Sequence, residues 1–117
     1  MRDDLAVFWQ NNMRARDLFY DLLKRAEHGA YDEDFLAQLA SYRTSAPDSE
    51  RADIFAAQYL LHHGDAETAL LCAQQAYRRR PVNYEIWKLL AEIYAHLDRP
   101  LDALVMHGYA YGLYLAP

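Results

Sequence analysis

The chain has 117 residues, enough for one ordinary domain and too few for two. Apolar residues make up 53% of it, which excludes wholesale disorder, and four Gly with four Pro leave little turn chemistry for an all-β fold. The net charge of −5 argues against a nucleic-acid backbone or an anionic membrane surface as the main partner.

Cys72 is the single cysteine, so no intrachain disulfide can form, and a reduced compartment such as the cytoplasm fits. Met1-Arg2-Asp3-Asp4 is not followed by the apolar core of a signal peptide. No apolar run approaches the roughly 20 residues of a membrane span.

Asp3 or Asp4 can cap a first helix that runs from about residue 4 to 28, roughly 37 Å at 1.5 Å per residue. Leu5, Phe8, Trp9, Phe19, Leu22, Leu23 and Ala26 recur in it close to helical spacing, and Gly29 is its expected stop. Asp32 opens a shorter helix through Phe35, Leu39 and Tyr42, and residues 44–49 carry turn chemistry. A third helix is expected over residues 49–63, ended by Gly64 as a glycine cap. Asp65 caps a fourth, Ala-rich helix over residues 66–80, which stops at Pro81. Asn83 caps a fifth through Ile86, Trp87, Leu90 and Tyr94. Pro100 opens a sixth that runs to about Leu115. Six helices on short turns predict an all-α stack of antiparallel hairpins.

The chain also matches itself when slid along by a fixed shift. Pro47 falls on Pro81, Ala57 on Ala91, His62 on His96, Ala69 on Ala103, Ala76 on Ala110 and Tyr77 on Tyr111. A fixed period of this length, roughly 34 residues, marks a helical-hairpin solenoid. Residues 84–117 carry Trp87, Leu90, Ala91 and Tyr94 at W-x2-L-G-x2-Y spacing, with Ala103 and Ala110 as small residues in the second helix. Here the chain resembles the tetratricopeptide repeat (TPR) family. Residues 50–83 follow the pattern less fully. Residues 1–49 read as a degenerate N-terminal hairpin, because Phe35 sits where a small residue is expected. The resemblance implies a single domain over residues 1–117, a right-handed superhelical α-solenoid of about six helices.

In that family the first helices of successive repeats line a concave groove that holds a peptide. The resemblance places Arg51, Ile54, Gln58, Leu61 and His62 in the groove, followed by Glu85, Lys88, Glu92, Ala95 and His96. Its mixed charge, with apolar Ile54, Leu61 and Ala95, suits an amphipathic segment better than an acidic tail. These residues also read as ordinary solvated side chains. His62 and His96 lack a supporting ligand set, so no metal is expected. Arg78, Arg79 and Arg80 suit a helix C-terminus, and Cys72 reads as a buried, inert thiol.

No nucleophile–base pair, phosphate loop or HExxH motif occurs, so neither catalysis nor a cofactor is expected. The sixth helix is apolar on nearly all sides, with Leu104, Tyr109, Tyr111, Tyr114 and Leu115 as a docking or self-association face. Three occupants fit it: a following repeat or domain of a longer chain, a second copy, or another protein. The end at Leu115-Ala116-Pro117 favours the first, with Pro117 opening a further hairpin. The expected function is a non-catalytic protein or peptide-binding scaffold. Alternatives are an N-terminal accessory segment of a larger enzyme, such as a bacterial glycosyltransferase, and a small secretion chaperone.

Overall fold

The computed structural model describes the backbone of residues 2–115, and side chains over residues 5–112 except Phe8 and Asn11. The fold is all-helical: α1 (Arg2–Glu27), α2 (Glu33–Ser45), α3 (Glu50–His62), α4 (Ala66–Arg79), α5 (Tyr84–His96) and α6 (Pro100–Leu115). No strand occurs among the described residues. The chain divides into two compact units, Met1–Ala52 and Asp53–Pro117.

Local chemistry sets the helix ends. Asp32 accepts a hydrogen bond from the Phe35 amide at 3.0 Å, and Asp65 accepts one from the Thr68 amide at 3.1 Å. Asn83 accepts from the amides of Glu85 and Ile86 at 2.9 and 3.2 Å. These side chains satisfy amides that have no partner within their helices. Asp3 and Asp4 differ from expectation. They fall inside the first turn of α1, which already begins at Arg2.

The first unit is the α1–α2 hairpin with the opening turn of α3. Gly29 adopts φ 66°, and the Ala30 amide reaches back to the Arg25 carbonyl at 2.8 Å to close α1. Leu22 and Phe35 are fully buried, and Leu39 and Tyr42 nearly so. Phe35 thus fills a core position whose counterparts in the two following repeats are Ala69 and Ala103, both buried. The Tyr42 hydroxyl hydrogen-bonds Ser49 Oγ at 2.8 Å. Arg25 Nε donates to Asp21 at 2.9 Å, and that bond is the main reason its pKa lies above the ordinary arginine value.

The second unit holds the rest of α3 with α4, α5 and α6. Its core joins Ile54 and Ala57 of α3, the Ala69, Ala73 and Ala76 stripe of α4, and Ile86, Leu89, Leu90 and Ile93 of α5. The alanines let helix backbones approach closely, and the aliphatic side chains of α5 fill the space above them. Asp53 near the start of α3 meets Arg79 at the end of α4, Oδ2 to Nε 3.4 Å, as antiparallel helices require. Trp87 of α5 likewise lies against Tyr109 of α6, ring centroids 5.6 Å apart.

Candidate partner-binding site

The groove residues of α3 do not form an open row. Ile54 is only 3% exposed and belongs to the buried core shared with α4 and α5, which corrects its placement as a groove contact. Leu61 packs partly into the same core, and Gln58 is half-buried with its Oε1 out of reach of water. Arg51, in the first unit, is half-buried with its guanidinium 5.6 Å from the Phe19 ring centroid. His62 is exposed, its ring 5.3 Å from that of His63. On α5, by contrast, Glu85, Lys88, Glu92, Ala95 and His96 are all exposed. The open part of the expected groove is therefore a mixed-charge face of α5. The apolar residues meant to receive an amphipathic segment there have largely gone into the core.

The α6 face is more open. Leu104, Tyr109 and Tyr111 are 68%, 54% and 66% exposed. Tyr114 and Leu115 lie outside the described side chains. Leu101 and Val105, in the same apolar stretch of sequence, extend this surface and are also exposed. Spacing alone missed a pair of cavities between α5 and α6. One, of about 330 Å³, is lined by Tyr84, Lys88, His107, Ala110 and Tyr111. The other, of about 300 Å³, is lined by Ala95, Asp98, Pro100, Ala103, Leu104 and His107. Positions 103, 107 and 110 recur at helical spacing, and that row was the signal available for finding them.

Two smaller readings change. Cys72 is half-buried rather than fully enclosed, because it stands at the edge of the alanine stripe. Arg79 is more than a dipole-stabilising cation, since it pairs with buried Asp53. Among the described residues no three His, Cys, Asp or Glu side chains gather in a group that could hold a metal ion. No described helix is long and apolar enough to cross a membrane.

The ChAPs family, described as Chs5p-Arf1p-binding proteins, matches residues 35–107. The chain belongs to that family. The ChAPs match begins at Phe35 in α2 and ends at His107 in α6, so it takes in α3, α4 and α5 whole and the shared core they build. The TPR resemblance rests on the repeat spacing and the hairpins; the family that matches is ChAPs. No curated protein matches the chain.

Proposed function

We propose that this chain is a non-catalytic protein-interaction module that binds its partner through the α5–α6 hairpin. The carrying observation is the solvent-facing apolar surface of α6: Leu101, Leu104, Val105, Tyr109 and Tyr111 all stand open along this one helix. Contiguous apolar surface of this kind is a mark of protein interfaces. The mixed-charge residues of α5 supply polar contacts at its margin. The description of ChAPs proteins as binding Chs5p and Arf1p supports a protein ligand.

Site-specific photo-crosslinking tests this reading. A benzophenone side chain at position 104 should give one defined protein adduct in the native cell. The same group at position 71, an exposed leucine on α4, should give none. No adduct from position 104, or the same adducts from both positions, would sink the proposal. Self-association through α6 is a second reading favoured by the same exposed residues. It expects an adduct of twice the chain mass and a doubled mass in light scattering. If the chain is an accessory segment of a larger enzyme, the adduct at position 104 forms within that enzyme.

A further inference from the structure

The α3–α4 hairpin shows what covers a surface of the kind that α5–α6 leaves open. Helix α5 packs on α4 and shares one buried core with α3 and α4, with Ile86 and Ile93 fully buried and Leu90 nearly so. Beneath it lie Ile54 of α3 and Ala69, Ala73 and Ala76 of α4, flanked by Leu61 and Leu70. Moved on by one repeat, these positions become Lys88, Ala103, His107, Ala110, Ala95 and Leu104. All six line the two cavities between α5 and α6, which share His107. The last hairpin thus repeats the seat on which α5 rests. Its floor at Ala103 and Ala110 is small and buried, and its rim at Leu104 and Tyr111 is exposed.

Two substitutions change the chemistry of that seat. Where α5 covers Ile54 and Ala73, an occupant of the second seat would cover Lys88 and His107. Both are exposed and line one cavity, and neither side chain makes a hydrogen bond or ion pair among the described residues. An all-aliphatic face like that of α5 would strip water from an ammonium group and offer nothing in return, which is strongly unfavourable. The α5 helix of a second copy is excluded on that ground, and its aliphatic face is already buried in its own core.

We infer that the α5–α6 seat receives an amphipathic helix of a partner protein. That helix has aliphatic residues at i, i+3 or i+4, and i+7, with an Asp or Glu in the middle of the apolar face that meets Lys88 and His107. The aliphatic positions give contact area, and the buried carboxylate gives selection against purely apolar helices. The inference rests on the protein-binding reading and names the chemistry of the partner.

The test uses the full chain and three helix-stapled, fluorescein-labelled peptides of residues 83–97. One has the natural sequence, one carries Leu89→Glu and one Leu90→Glu. Fluorescence anisotropy should show at least one Glu peptide binding ten-fold or more tighter than the natural one. Lys88→Met with His107→Ala in the chain should abolish or reverse that preference. Ala95→Arg, at an exposed position, should block binding without touching the core, while Leu71→Arg should leave it unchanged. The inference is overturned if no peptide binds, or if the preference for Glu survives the double substitution. Position-specific adducts from residue 104 alongside failed peptides would leave the protein-binding reading standing and remove this one.

Discussion

Asp98 is the described non-glycine residue with positive φ, at 57°, and it stands one repeat after Gly64, whose φ is 83°. The two close their helices alike. The Asp65 amide reaches the Leu60 carbonyl at 2.9 Å, and the Arg99 amide reaches the Tyr94 carbonyl at 2.9 Å. A side chain strains the left-handed region, although Asp tolerates it better than most. Asp98→Gly should therefore raise stability by about 0.5–1 kcal/mol, and Gly64→Ala should lower it by about 1 kcal/mol, both read from urea unfolding midpoints. A lower midpoint for Asp98→Gly would show that the carboxylate does more at this turn than the backbone explains. The buried carboxylate of Asp53 gives a second expectation. Arg79→Ala should cost about 1–3 kcal/mol, because it removes a cation from beside Asp53, whose side chain is only 9% exposed. Arg78→Ala, at an exposed position, should stay within about 0.5 kcal/mol. Caps were legible in the sequence because they are local: Asp32, Asp65 and Asn83 each act on amides two or three residues away. The Asp53–Arg79 pair was not, since it joins two helices across a hairpin.

At the scale of elements, the alanine stripe of α4 decides how closely α3 and α5 approach it. Ala69, Ala73 and Ala76 are all fully buried. Ala73→Leu would force extra methylenes between α4 and α5 and should cost about 1–3 kcal/mol. Leu71→Ala, on the exposed side of the same helix, should change stability by less than about 0.5 kcal/mol, so a pair of thermal melts separates overpacking from a general loss of helix. Equal effects would mean the stripe is not a close contact. The helices and their order were legible from apolar spacing, breakers and the repeat period. The groove was legible only in part, because spacing puts residues on a common face without saying what covers that face. Ile54 and Lys88 occupy equivalent positions, yet the first is buried in the core and the second, on α5, is open. The α5–α6 cavities needed the helices packed before they existed at all.

At the scale of the whole chain, burial is uneven, and local stability should follow it. Helix α1 has 26 residues and its antiparallel partner α2 has 13. The Phe19–Tyr42 ring contact, centroids 6.4 Å apart, places the end of α2 beside the middle of α1. The first half of α1 therefore runs past its hairpin partner, and Leu5, Val7, Trp9 and Met13 are each more than half exposed. A helical segment without tertiary cover is marginal in water. Hydrogen exchange should find the amides of residues 5–13 weakly protected. Those of residues 86–93, around the fully buried Ile86 and Ile93, should exchange only on global unfolding. Fluorescence quenching offers an independent readout. Trp9 is 63% exposed and should quench readily with iodide, while Trp87, whose indole Nε1 is shielded from water, should resist. Single-tryptophan variants Trp87→Phe and Trp9→Phe assign the two signals. Strong protection at residues 5–13 would show that something covers this apolar half-helix in solution. Repeating the exchange at ten-fold lower concentration then identifies the cover: protection lost on dilution means a second copy, and protection retained means contact within one chain.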